Sequence, residues 1–384
     1  MATPPPPFPF DVPLEALRRR SSVKWRAHDQ DVLPLWIAEM DAHPADEVLV
    51  AVAQAMTTGD TGYPVAGPYV AALRAFAADR WDWTFDERQA LLVADVMQGA
   101  MDAIGTVTGP GDAVVITPPV YPPFYGYLQH HRRRIVEAPL GADGRLDRDV
   151  LDSAFATASA DGPAAFLLCS PQNPTGAVHS RTELTAVADL AAQHDVQVIA
   201  DEIHAPLVLP GASFVPYLTV PGGEHGIALH SASKGWNLAG LKAALAVFGE
   251  AATDRLAALP EVVTHGASHL GTIAHTAALS SAQAWLDAAI AMIDANRTRF
   301  AAALAAALPE ALYRPGEATY LAWVDLREAG FGDDPGAWLR EKGRVAFSAG
   351  IDFGTGGAGH VRVNLATSPA ILDDAVARMA AVHP

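Results

Sequence analysis

The sequence predicts an α/β protein, with a large domain built on a mostly parallel sheet and a smaller α/β domain at its C-terminal end. Three observations carry this. Short apolar runs rich in β-branched residues recur at Ala113–Ile116, Ala165–Leu168, Val196–Ala200, Ile227–His230 and Ala243–Phe248, each bounded by turn residues. Stretches with helical spacing lie between some of them, and continuous apolar strands alternating with amphipathic helices mean a sheet covered on both faces. The chain has 384 residues, more than one hydrophobic core comfortably supports.

Taken in order, the first 45 residues read as a segment that packs with the small domain, and the run Pro4–Pro7 favours extended polyproline geometry that frays. The large domain is expected over 46–279. Within it a helix is predicted over Thr182–His194, because Ser180 followed by Glu183 fits a capping box. The small domain is expected over 280–384: a long Ala-rich helix from Ser280 to Leu308, a strand at Tyr320–Leu326, a Gly-rich loop and strand over Phe353–Ala366, and a last helix over Ala370–Val382.

Net charge is -17, which repels polyanions and argues against nucleic-acid or anionic-membrane partners. The clusters Arg18-Arg19-Arg20 and Arg132-Arg133-Arg134 read as solvated faces. No apolar run reaches the roughly 18 residues of a membrane span. The single cysteine, Cys169, permits no internal disulfide and reads as a buried thiol, so a cytoplasmic protein is expected. His265 and His269 are four apart but have no evident third ligand, so no metal site is expected. Gly354 to Gly359 satisfies a G-x-G-x-x-G pattern but precedes a strand-like run, so the dinucleotide reading fails its context.

The chemistry centres on three strand ends. Lys234 follows an apolar strand, lies among Ser231 and Ser233, and has a second cation, Lys242, eight positions later. Such an amine can form an imine with an aldehyde cofactor, and nearby positive charge lowers its pKa. Alone, it reads better as a solvated loop lysine. Ser170-Pro171-Gln172-Asn173-Pro174-Thr175-Gly176 and Asp201-Glu202-Ile203-His204 follow two other strands, which brings an amide and a carboxylate to the same carboxyl edge.

Asn-Pro-Thr-Gly, then Asp-Glu, then Ser-x-Ser-Lys resembles the pyridoxal-5′-phosphate (PLP) enzymes of fold type I, aminotransferase class I/II. Leu33–Asp41 resembles the "PLWVADMDF" segment of the cystathionine β-lyase-like (MalY/PatB-type) C–S lyase branch. Pro118–Phe124 resembles its "PPVYPPF", Ser231–Lys242 its "SPSKTFNLAGLK", Thr319–Trp323 its "TYLAW" and Phe353–Asn364 its "FG…G…VRLN". Glu39, Ser170, Gln172, Ala232, Gly235 and Trp236 depart from the pattern, and these changes bear on substrate range.

The resemblance implies PLP as cofactor. Lys234 would form the imine and take the Cα proton, Asp201 would pair with the pyridinium nitrogen, and Asn173 would meet the phenolic oxygen. His204 would stand where Tyr is common, and Tyr121 would cover the ring face as a catalytic and cofactor-binding residue. Backbone groups at Gly99, Ala100 and Met101, with Ser231, Ser233 and Lys242, would hold the phosphate. Arg362, the Ala38 N–H and Asn173 would bind substrate. Tyr63 would reach a neighbour's phosphate across a homodimer. The expected reaction is β-elimination from L-cystathionine or related cysteine S-conjugates to a thiol, pyruvate and ammonia. An amino-acid aminotransferase is the alternative, and a regulatory binding protein on the PLP fold is another.

Overall fold

The computed structural model describes residues 9–384, so the polyproline expectation for Pro4–Pro7 lies outside the described residues. One seven-stranded sheet runs, in spatial order, Ala90–Val93, Ala244–Phe248, Ile227–His230, Val196–Asp201, Ala164–Cys169, Ala113–Ile116 and Arg134–Glu137. Neighbours from Ile227–His230 to Arg134–Glu137 are parallel, and Ala244–Phe248 alone runs against both of its neighbours.

The period-two geometry of a strand sorts its side chains between two cores. Val114, Ile116 and Leu167 pack under the helices Val96–Gly105 and Pro123–His130. Ala113, Val115, Phe166 and Leu168 pack under Arg148–Ser159 and Arg181–His194. That last helix starts at the expected capping box: Ser180 Oγ accepts from the Glu183 N–H, and the Ser180 N–H donates to Glu183 Oε2 at 2.7 Å. The edge strands Ala90–Val93 and Arg134–Glu137 escape the sequence reading, and the second shows why. It has no fully buried residue, so it lacks an apolar run.

A second, four-stranded antiparallel sheet is ordered Ser348–Ala349, His360–Asn364, Leu321–Asp325 and Leu312–Tyr313, with the helix Pro369–Ala381 against it. The N-terminal strand Leu33–Pro34 pairs in parallel with Val345–Ala346, and Leu17, Leu33 and Leu35 share the core of this sheet.

The long helix expected over Ser280–Leu308 spans Gln283–Ala307; its first two expected residues instead end a preceding helix, His269–Ser281, and Ala282 between the two accepts the Trp236 indole N–H on its carbonyl at 2.9 Å. The Gly-rich loop and strand expected over Phe353–Ala366 are both present: a 3-10 turn, Gly350–Phe353, leads into the glycine loop, and the strand covers His360–Asn364. The helix Gln283–Ala307 joins the two halves: Trp285, Leu286 and Ile293 pack in the large core, Phe300 and Leu304 in the small one.

Candidate active site

Three parallel strands end side by side at one edge of the large sheet. Asp201 is the last residue of Val196–Asp201, Cys169 ends its neighbour, and Lys234 lies in the short helix Ala232–Gly235 after Ile227–His230. Ser231 caps that helix, accepting from the Ser233 N–H at 3.2 Å and donating to the Ala243 carbonyl at 2.8 Å. Together these ends form a cavity of about 350 Å³ lined by Lys234, Asp201, Asn173, His204, Tyr121, Ser233 and Lys242. The convergence follows from topology, since parallel strands present all their carboxyl ends to one crevice.

The electrostatics are those of buried charge. Burial, with Arg362 nearby, lowers the Lys234 amine to about 8, and its Nζ donates to the Ala38 carbonyl at 2.8 Å. Burial raises Asp201 to about 7, although the Ile203 N–H donates to its Oδ1 at 3.1 Å. His204 is pushed down to about 3 by burial, which keeps it neutral, and its Nδ1 has no hydrogen-bond partner. Burial also raises the Tyr121 hydroxyl and the Cys169 thiol, so the cysteine is a poor nucleophile.

Arg362 reaches the site from the small sheet. Burial lowers it to about 10, yet it stays charged at neutral pH. Its Nη1 donates to Asn173 Oδ1 at 2.9 Å, and its Nη2 donates to the Trp36 carbonyl and to Ser348 Oγ, both at 3.0 Å. Its Nε–H is buried without a hydrogen-bond partner. Gln172 in turn positions Asn173, whose N–H it accepts at 2.7 Å. Gly176 closes that loop: at φ 72° a Cβ would meet the Ala318 carbonyl oxygen at 2.8 Å, so only glycine allows this approach to the segment leading to Tyr320.

The expected phosphate donors at Ala100 and Met101 are corrected. The helix begins at Val96, capped by Asp95, so Ala100 and Met101 lie past its first turn, where their N–H groups belong to the helical ladder. Val96 and Met97 line the cavity at the true N-terminus. Gly99 serves packing instead: a Cβ there would meet Val93 Cγ2 at 2.7 Å. Lys242 lies beside this terminus, with its Nζ 2.5 Å from Asp95 Oδ2. Tyr63 does not line the cavity and is 93% exposed.

Sequence reasoning gave no role to Tyr320, Ser348, Asn237 or Asn364. The Tyr320 hydroxyl donates to the Ala38 carbonyl at 3.1 Å, and Asn364 Nδ2 donates to the carbonyls of Ile37 and Glu39 at 2.8 and 2.7 Å. Tyr320, Asn237 and Asn364 lie in the matched segments and Ser348 in none of them, and only the fold brings the partners together. His269, weighed as a metal ligand, is instead 3.0 Å from Asp60.

The family model described as "Aminotransferase class I and II" matches residues 31–379. A "Putative cystathionine beta-lyase" of Mycobacterium leprae (strain TN) is 48% identical over 384 residues, which covers 95% of this chain and 96% of that protein. The cystathionine beta-lyase of Corynebacterium glutamicum is 34% identical over 372 residues, covering 96% and 98%. Among solved structures, a "putative plp-dependent beta-cystathionase" from Corynebacterium diphtheriae superposes with a TM-score of 0.92 at 33% identity, covering 98% of this chain and 99% of that one.

Proposed function

Because the chain belongs to the class I and II aminotransferase family, we propose that it is a PLP-dependent C–S β-lyase. It acts on L-cystathionine or related cysteine S-conjugates and releases a thiol, pyruvate and ammonia. Relatives named as cystathionine β-lyases, similar over nearly the whole chain, support the reaction class. The observation that carries the chemistry is the convergence of Lys234, Asp201 and Asn173 in one cavity, with Arg362 bonded to Asn173 at its edge.

The residues fit PLP. Asp201 is a buried carboxylate whose charged form is disfavoured until a cation sits beside it, which the ring nitrogen provides. Val96 and Met97, at a helix N-terminus, with Lys242 nearby, suit a phosphate. When bound, PLP supplies an electron sink that stabilises negative charge at the substrate Cα.

The chain's own groups do the rest. Lys234, lowered to about 8 by burial, has an appreciable neutral fraction just above neutral pH and in that form can take the Cα proton. Arg362 would offer its unpartnered Nε–H and its positive charge to the α-carboxylate, with Asn173 fixing the guanidinium plane through Nη1. Asn173 uses its Oδ1 on Arg362, so its Nδ2 remains to meet the cofactor's phenolic oxygen. Tyr121 lines the cavity and would cover the cofactor's ring face, helping with Arg362 to orient the substrate's Cβ–S bond. His204, neutral and adjacent, adds no competing charge.

The same reading gives a two-fold homodimer in which Tyr63 completes the neighbour's phosphate site. Exposed Leu49, Val50, Met56 and Val65 on the preceding helix and loop support a covered face there. Hybrid dimers of Lys234→Ala and Tyr63→Phe subunits should regain activity where each parent is inactive. It also gives an N-terminal segment over 1–45, a PLP-binding domain over 46–279, a small domain over 280–384 and a cytoplasmic location. Among the described residues, no helix is long and apolar enough to cross a membrane.

The test is a product assay. With L-cystathionine the pure protein should yield pyruvate and thiol in equal amounts. A new amino acid from amino-acid/keto-acid pairs, with no pyruvate from cystathionine, would favour the aminotransferase reading.

A further inference from the structure

The strap formed by residues 36–42 crosses the site from the N-terminal segment, and its carbonyls are gripped from three directions. Arg362 Nη2 takes Trp36 O at 3.0 Å, Lys234 Nζ and Tyr320 OH take Ala38 O at 2.8 and 3.1 Å, and Lys24 Nζ takes Glu39 O at 3.0 Å. At Met40 the grip is two-sided. Asn237 Oδ1 accepts the Met40 N–H at 2.7 Å, and Asn237 Nδ2 donates to the Met40 carbonyl at 3.0 Å. Asn237 lies three residues after Lys234, on the same loop, with φ at 58°, a left-handed conformation that asparagine tolerates better than most side chains. The loop itself is anchored, since Trp236 is fully buried and its Nε1 donates to the Ala282 carbonyl at 2.9 Å.

From this arrangement we propose that Asn237 is a positioning residue. Its amide locks the strap to the lysine loop, so that the Ala38 carbonyl is held against Lys234 and the Trp36 carbonyl against Arg362. The side chain makes a two-point contact like one rung of a β-ladder, between a loop and a strap whose other hydrogen bond is that of Lys234 to the Ala38 carbonyl. Its amide orientation is fixed by the strap, because the N–H and the carbonyl of one residue demand opposite ends of the amide. Without the clamp, the strap keeps its bonds to Asn364 and Tyr320 but loses its side-chain tie to the lysine loop, so the acceptor that faces the amine and the acceptor that orients the guanidinium are each less firmly placed relative to that loop. The claim rests on the site assignment above and is independent of whether the reaction is elimination or transamination.

Two variants separate the side chain from the backbone. Asn237→Gly keeps the left-handed backbone free of strain and removes both contacts. Asn237→Asp keeps the acceptor for the Met40 N–H and replaces the donor with a repelling oxygen. The first readout uses cofactor-free protein mixed with PLP: the rate of imine formation against pH, which reports the ionisation of Lys234. Loss of a carbonyl that stabilises the ammonium should move the midpoint down by about half a pH unit or more in Asn237→Gly. The second readout is the half-saturating concentration of L-alanine, which carries the α-carboxylate and amine but no leaving group, followed by cofactor absorbance. It should rise about tenfold in Asn237→Gly and at least as much in Asn237→Asp. Wild-type midpoints and wild-type alanine binding in both variants would overturn the proposal. So would losses that merely track a fall in melting temperature, with the pH midpoint unmoved. If the product assay fails on cystathionine while these shifts appear, the lyase reading falls and the clamp stands.

Discussion

Arg362 and Asn173 are 189 positions apart in the chain, yet Arg362 Nη1 donates to Asn173 Oδ1 at 2.9 Å, with both side chains buried. One comes from the small sheet and the other from the loop after a central strand of the large one. The pair therefore joins the group proposed to bind the substrate carboxylate to the group proposed to meet the cofactor. A guanidinium can hold Asn173, Trp36 O and Ser348 and still offer its unpartnered Nε–H, whereas an ammonium has three donors and no planar fork.

Arg362→Lys should therefore lower kcat/KM on an amino-acid substrate by roughly 10- to 100-fold, the value of one or two charge-assisted hydrogen bonds. Cofactor absorbance should be retained. Steady-state kinetics with an absorbance spectrum of the variant checks this. A near wild-type kcat/KM would remove Arg362 from the carboxylate site.

Asp201 should cost the cofactor-free protein stability. Its folded pKa is raised from 3.8 to about 7, so between those values the folded state holds more protons than the unfolded one. Its contribution to stability thus falls as pH rises through that window and is most unfavourable above pH 7. Cofactor-free Asp201→Asn should be more stable than the parent at pH 8 by roughly 1–4 kcal/mol, with the gap narrowing toward pH 4. The same variant should bind PLP weakly, having lost the carboxylate for the ring nitrogen. Urea melts at several pH values test the sign, and a variant less stable than the parent at pH 8 would refute it.

Under the strap, Lys24 and Asp41 form a fully buried ion pair at 2.8 Å, and the Trp25 indole also donates to Asp41 at 3.2 Å. Removing one partner leaves a charge in the core without compensation. Lys24→Met should destabilise by about 3–5 kcal/mol. The double variant Lys24→Met/Asp41→Leu should cost clearly less than the sum of the two single changes. Additive losses in a denaturation cycle would mean the pair does not act as a unit.

Much of this fold was legible because its central strands are buried on both faces and read as continuous apolar runs. Ala113–Ile116 and Ile227–His230 have the same bounds in sequence and structure. Arg134–Glu137 was hidden by its exposed edge position, and the break at Ala282 by a run of good helix formers whose interruption involves a tryptophan some 46 positions away. In the site, Lys234, Asp201 and Asn173 could be found because each follows its own strand. The phosphate donors were expected at Gly99, Ala100 and Met101, whereas the helix starts at Val96, because Asp95, its cap, gives only a single-residue signal. Tyr320, Ser348 and Asn237 act through backbone carbonyls of the strap, and no local pattern encodes a contact of that kind.

The central claim is that elimination prevails once Lys234 has taken the Cα proton, because a thiolate leaves Cβ readily and needs no second amino acceptor. The most direct measurement is a single turnover of the PLP-loaded protein with L-cystathionine, with pyruvate and pyridoxamine phosphate followed together. Pyruvate should form in the first turnover, in step with the released thiol, with pyridoxamine phosphate a minor product. Accumulation of pyridoxamine phosphate ahead of pyruvate would contradict the lyase assignment and leave the aminotransferase reading in its place.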